Sequence, residues 1–168
     1  SGTNSALPHA RPGERKLSPG DAVVIDFGAL YEGYHSDETC TFFLGSASAR
    51  QKEAYGIVKE AHDRALASLK AGMACREIDR IARICIEGKG LGKFFSHGTG
   101  HGIGLDIHEP PRIAPPSQAI LEAGMVVTIE PGIYIPGEWG IRIEDTVLVK
   151  KDGCEVLTKI PKDFNVLY

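Results

Sequence analysis

The sequence predicts an α+β domain, and three observations carry the prediction. Two helical stripes of apolar residues lie together in the middle of the chain, β-prone runs cluster before and after them, and Gly, Pro and Asp-Gly breaks separate those runs. Strands grouped apart from helices, rather than alternating with them, point to α+β packing and not to a parallel βαβ sheet.

Ser1 to Gly20 is rich in Pro, Gly and Ser and reads as an irregular lead-in that carries His9. Ala22 to Phe27 is a short apolar run with Asp26 inside it. A turn region around Tyr31–Gly33 and a second β-prone run, Thr39 to Leu44, complete a predicted hairpin. In Ser48 to Leu69, Ala54, Val58, Ala61, Ala65 and Leu69 recur at three- and four-residue spacing, and Gly72 follows as a stop. Ile78, Ile81, Ala82, Cys85 and Ile86 form a second stripe over Cys75 to Glu87, closed by Gly88. His62 is expected on the solvated surface of the first helix, and Cys85 as a small buried hydrophobe of the second. Met125 to Glu130 reads as a strand broken by Pro131-Gly132. Gly140 to Val149 alternates as one continuous strand, with Arg142, Glu144 and Thr146 on one face. Asp152-Gly153 turns the chain into a last strand around Cys154–Leu157.

Composition narrows the function classes. With 168 residues, 42% hydrophobic and 24% charged, residues 1–168 suffice for one globular domain with its own core. A net charge of −3 without a basic cluster gives nucleic acid no electrostatic footprint. No apolar run approaches the roughly 18–20 residues that span a bilayer, so no membrane partner is expected. Four scattered cysteines without a CxxC pair argue against a zinc ribbon and fit a reducing, cytoplasmic setting.

The informative residues are polar ones inside apolar patterns. Asp26, Asp37, Glu130 and Glu144 sit in or beside strand segments whose single cation is Arg142. Burying an unpaired carboxylate costs several kcal/mol, so four of them demand compensation. Two divalent cations balance four negative charges. An imidazole to complete the ligand set is at hand in the segment Phe95–Pro111, where His97, His101 and His108 lie among closely spaced glycines.

These residues carry a resemblance. Asp26 in DFGALYEGYHSDET, Asp37 eleven positions later, His101 in HGTGHGIG, Glu130 in TIEPGIY and Glu144 in RIEDT resemble the ordered ligand positions of the pita-bread metallopeptidases. That family includes methionine aminopeptidase, aminopeptidase P and prolidase. The opening SGTNSALPHARPGE and the block HGTGHGIGLDIHEPP look like the proline-specific branch, with His97 four residues ahead of His101. The resemblance implies a metal-dependent exopeptidase that hydrolyses the bond between an N-terminal residue and proline through a hydroxide activated by two metal ions. Asp26 would chelate one ion, Asp37 and Glu144 would bridge both, and His101 with Glu130 would complete the second. Such an oxygen-rich set suits manganese, with cobalt, zinc and iron left open. Glu130 is the expected proton shuttle, and His97 and His108 the expected catalytic donors. His9, His97 and His108 are the expected substrate contacts, and Arg142 is expected to orient a ligand carboxylate. Readings that remain beside this one are a metal-free peptide-binding module of the same fold, a metal-free hydrolase of the creatine type, and a methionine aminopeptidase.

Two departures from the family pattern stand out. Bacterial relatives often read SD-x-TRT where this chain has Ser36-Asp37-Glu38-Thr39-Cys40-Thr41, so Cys40 replaces an arginine. Members of the branch also carry a further domain and helices ahead of the SGTNSALPHA segment. The fold is therefore expected to be incomplete on its N-terminal side, with apolar surface open to homo-oligomer formation.

Overall fold

A computed structural model describes all residues, Ser1–Tyr168. A short 3-10 turn, Gly2–Ala6, precedes strands β1 (Ala22–Phe27), β2 (Leu30–Tyr31), β3 (Tyr34–His35) and β4 (Glu38–Leu44). Helices α1 (Ala49–Ser68) and α2 (Cys75–Glu87) follow. Strands β5 (Gly100–Gly102), β6 (Glu109–Ile113), β7 (Val126–Ile129), β8 (Gly132–Ile135), β9 (Trp139–Arg142), β10 (Asp145–Lys150), β11 (Gly153–Val156) and β12 (Val166–Leu167) complete the chain.

The predicted hairpin is present as β1 antiparallel to β4, with β2 and β3 forming a smaller hairpin at its tip. Gly28 allows this return, because a Cβ there would lie 2.0 Å from the Ser36 carbonyl oxygen. α1 begins on a side-chain cap. The Ser48 hydroxyl accepts from the Gln51 N–H, and the Gln51 side chain accepts from the Ser48 N–H, a reciprocal capping box. Beyond its end, Gly72 adopts φ +86°, which turns the chain toward α2.

Two sheets hold the strands that matter for the site. One has the order β1-β4-β12 and the other β11-β10-β7-β5-β6. The apolar stripes of α1 and α2 pack with Ile113, Val127, Ile129 and Val147 in a core cluster of 26 buried residues. Cys85 is buried in it, as expected.

Two expectations are corrected. The continuous strand Gly140–Val149 is two strands, β9 and β10, broken at Ile143–Glu144. The Ile143 N–H bonds Pro131 and the Glu144 N–H bonds Thr39, so the backbone leaves one pairing for another at this step. His62 is not solvated: it is 1% exposed, with Nδ1 3.2 Å from Asp63 Oδ1 and Nε2 3.2 Å from Asp145 Oδ2. Burial lowers its proton affinity, but the two carboxylates more than offset this and leave its pKa raised.

Candidate metal centre

The predicted ligands gather where the two sheets meet. Asp37 immediately precedes β4, Glu130 immediately follows β7, His101 lies in β5, and Glu144 occupies the break before β10. Strand ends suit this role, since each side chain can aim across the seam without interrupting a ladder. Asp37, His101 and Glu144 offer ligand atoms that all lie within 4.8 Å of one another. His101 Nε2 is 3.7 Å from Asp37 Oδ2 and 3.3 Å from Glu130 Oε1. The His101 Nδ1–H donates to the Gly102 carbonyl at 3.0 Å, which leaves Nε2 as the free acceptor turned to the carboxylates.

Asp26 is more exposed than the other candidate ligands. Its side chain is 45% exposed and accepts from Arg142 Nη2 at 2.5 Å. Of the four carboxylates expected to need a compensating partner, Asp26 finds one in Arg142. Arg142 therefore contacts one of the candidate ligand carboxylates, that of Asp26. Its Nε also donates to Thr39 Oγ1 at 3.1 Å, and that hydroxyl donates to Glu144 Oε2 at 2.5 Å.

The electrostatics are those of crowded anions. Burial, then the charge of Asp26, raises the pKa of Asp37. Burial carries Glu130 to about 7, with Asp37 and Asp26 adding to the rise and Arg142 opposing it. Burial, with Glu130 and Asp37 beside it, raises Glu144 well above the usual carboxylate range. Burial foremost, with the neighbouring His108 and Arg112, lowers His101. Glu144 Oε1 is buried and has no hydrogen-bond partner. An orphaned carboxylate oxygen, facing two carboxylates and an imidazole acceptor, fits a divalent cation by charge and by ligand chemistry.

A cleft of about 610 Å³ opens over this group, lined by His9, His97, His101, His108, Glu130 and Arg142 among others. His9 and His108 are exposed in it, and the His101 and His108 rings approach to 4.4 Å between centroids. His97 is held at both nitrogens: Nδ1–H donates to the Gly98 carbonyl at 2.7 Å, and Nε2 accepts from the Tyr134 hydroxyl at 2.9 Å. Its pKa falls to about 4, mainly through burial, so the ring is neutral near pH 7.

Several neutral partners escaped the sequence reading. Tyr134 links His97 to Arg142, whose Nη1 donates to the tyrosine oxygen at 2.9 Å. Thr128 Oγ1 accepts from the His101 N–H at 3.1 Å and donates to Glu130 Oε1 at 3.3 Å. Gly100 permits this closeness, because a Cβ there would fall 1.9 Å from the Thr128 carbonyl oxygen. Asp79, 1% exposed on α2, accepts from the Thr99 N–H and hydroxyl and is clamped by Arg83 at 2.8 and 2.9 Å. It pins the histidine loop to the helix. Asp79→Asn, which removes the anion and leaves Arg83 without its partner, is expected to lower stability by about 3 kcal/mol in urea titrations.

The metallopeptidase family M24 model matches residues 1–151. The chain belongs to this family. Its α+β architecture is the pita-bread fold of the M24 prolidases that it superposes on. A Pyrococcus furiosus protein named Xaa-Pro dipeptidase is 50% identical over 97% of this chain and 47% of its own length. The solved Xaa-Pro dipeptidase from Bacillus anthracis superposes with a TM-score of 0.97 at 51% identity, covering 99% of this chain and 47% of that one. The X-Pro aminopeptidase from Thermotoga maritima gives 0.96 at 46% identity, with 99% and 47% covered. The chain thus spans about half the length of the relatives it matches. The family implies divalent metal ions.

Proposed function

We propose that this chain is the catalytic part of a manganese-dependent exopeptidase that cleaves the bond between an N-terminal residue and proline. The single observation that carries the reading is the convergence of Asp37, His101 and Glu144 within 4.8 Å, with Glu130 alongside, in a chain 50% identical to a protein named Xaa-Pro dipeptidase. Asp26, Asp37, His101, Glu130 and Glu144 are the residues that would hold two ions, and the predominance of carboxylate oxygen favours manganese. The ions, when bound, supply Lewis acidity to the scissile carbonyl and to the attacking water.

The chain's own residues do the rest. Glu130 moves a proton at its carboxylate oxygen from the water to the leaving nitrogen, a role supported by its place in the cleft, 3.3 Å from His101 Nε2. That nitrogen is proline's, which has no N–H in the peptide, so recognition cannot depend on an amide donor. His9 and His108 face the cleft as substrate contacts. His97 remains a neutral group in the cleft, accepting from the Tyr134 hydroxyl and so linked to Arg142. Arg142 keeps Asp26 directed at the centre.

Two broader expectations belong to the same reading. Leu30, Tyr31 and Tyr34 on the small hairpin are 63%, 74% and 63% exposed, which supports self-association. Four free cysteines support a reducing, cytoplasmic setting. No helix is long and apolar enough to cross a membrane.

The test is hydrolysis of Xaa-Pro dipeptides and of longer peptides with proline second, against Xaa-Ala controls, with Mn²⁺ and with chelator. The chain is assayed alone and within any longer polypeptide that carries it. Mn²⁺-dependent cleavage confined to the proline substrates is expected. Two bound ions without any such cleavage would overturn the reading in favour of a binding module.

A further inference from the structure

Behind the candidate centre lies a second charged cluster. Lys162 comes from the segment between β11 and β12, beyond the residues 1–151 that match the family model. Its side chain is 5% exposed, yet it meets three polar groups of the interior. Nζ donates to Glu38 Oε1, lies 3.4 Å from Asp145 Oδ1, and reaches Cys40 Sγ at 3.3 Å. Asp145 Oδ1 also accepts from the Thr158 hydroxyl at 2.5 Å, and Oδ2 lies 3.2 Å from His62 Nε2. That last pair is close but not aligned as a hydrogen bond. Glu38 Oε1 also accepts from the Ile160 N–H at 3.1 Å.

The positions of Glu38 and Asp145 give the cluster its meaning. Glu38 follows Asp37 and Asp145 follows Glu144. Consecutive side chains of an extended chain point to opposite sides, so one carboxylate of each pair faces the centre and the other faces Lys162. β4 and β10 belong to different sheets and meet through the isolated bridge Thr39↔Glu144, not through a ladder. Neutral bonds tie the same segments, the Thr146 hydroxyl donating to the Asp37 carbonyl at 2.7 Å and the Thr39 hydroxyl to Glu144 Oε2 at 2.5 Å, and Lys162 adds a charged tie on the opposite face. On the far side of that seam, Glu38 and Asp145 would repel each other if no cation stood between them.

We propose that Lys162 is a positioning residue for the metal centre. Its ammonium ties Glu38 of β4 to Asp145 of β10 and so holds Asp37 and Glu144 at the separation that two cations require. The inference rests on the functional reading above and deepens it. Lys162 touches neither substrate nor ion; it acts through the two strands. A flexible lysine is suited to this because its compact charge satisfies two carboxylates at once, and burial keeps solvent from screening them.

The experiment is a calorimetric titration of chelator-stripped protein with Mn²⁺, comparing wild type, Lys162→Met and Lys162→Arg, with far-UV circular dichroism confirming that each is folded. Lys162→Met keeps the length and removes the charge. It is expected to bind at least one of the two ions about 10–100-fold more weakly, with Lys162→Arg recovering most of that loss. A residue that served stability alone would lower the melting temperature and leave both affinities in the folded protein unchanged. A folded Lys162→Met that binds two ions with wild-type affinity overturns the proposal, as does a Lys162→Arg no better than Lys162→Met. Should Lys162→Met not fold, the pair Glu38→Gln/Lys162→Met removes the cation together with one of its anions. The same weakening is expected there, and wild-type affinity overturns the proposal. Wild-type protein that takes up no Mn²⁺ overturns the functional reading itself, and the proposal with it.

Discussion

Glu130→Gln is expected to reduce turnover on Xaa-Pro substrates by about 10²–10⁴-fold, the usual contribution of a positioned general acid–base group. In barrier terms that is about 3–5 kcal/mol. Glutamine keeps the size, one ligating oxygen and the reach toward Thr128 Oγ1, but it cannot take a proton near neutrality. Metal affinity should also fall, since one anionic ligand is lost, so the comparison is made at saturating Mn²⁺. His97→Ala supplies the contrast. It deletes the acceptor of the Tyr134 hydroxyl and lies outside the carboxylate group, so both ions should stay bound while kcat/KM falls. The pair separates proton transfer from positioning. Glu130→Gln with two ions and wild-type turnover would assign the proton path to another residue.

What could be read from the sequence divides by range of interaction. Both helices were legible because their signals are local: a periodic apolar stripe and a glycine stop. The candidate ligands were legible for a related reason. A carboxylate inside an apolar strand pattern is anomalous whatever surrounds it, and four such positions with His101 between them in family order are hard to reach by chance. Partners at long range were not legible. His62 sits on a helix between Asp63 and Glu60 and reads as surface, but the group that keeps it inside, Asp145, comes 83 residues later. Lys162 in a Pro- and Lys-containing tail gives no hint that it ends beside Glu38.

The break at Ile143–Glu144 illustrates the same limit. Alternation through GIRIEDTVLV is genuine and would support one long strand. The carbonyl that captures the Glu144 N–H belongs to Thr39, and nothing in the segment itself records that. The error falls on a candidate ligand, Glu144, for a physical reason. A ligand that must point into a seam between sheets is best placed where the ladder is interrupted, and the interruption is set by the other sheet. Thr39, Thr128 and Tyr134 were missed because hydroxyls in strands are ordinary, and only their partners make them informative.

Metal-free protein is expected to lose stability as pH rises from about 5 to about 8, and Mn²⁺ is expected to restore it. The sign follows from the carboxylates. Glu130 holds its proton in the fold up to about pH 7, whereas in the unfolded chain it releases it near the ordinary glutamate value of 4.5. Between those values the folded state carries more protons, so each increment of pH favours unfolding; below 4.5 the cost is absent. Asp37 and Glu144 are raised as well and act in the same direction. His97, depressed to about 4, works against them, because its neutral folded form gains relative stability as pH rises toward 6.5. A difference between variants removes that background. Urea titrations of chelator-treated wild type and Glu130→Gln at pH 5 and pH 8 should diverge, with wild type losing about 3 kcal/mol more across the interval. Adding Mn²⁺ at pH 8 should reverse the loss in wild type, contributing about 2.7 kcal/mol at a free concentration a hundred times its Kd. Parallel pH dependences in the two proteins would mean that Glu130 ionises freely in the fold, and the picture of crowded, buried carboxylates awaiting cations would fail at its central residue.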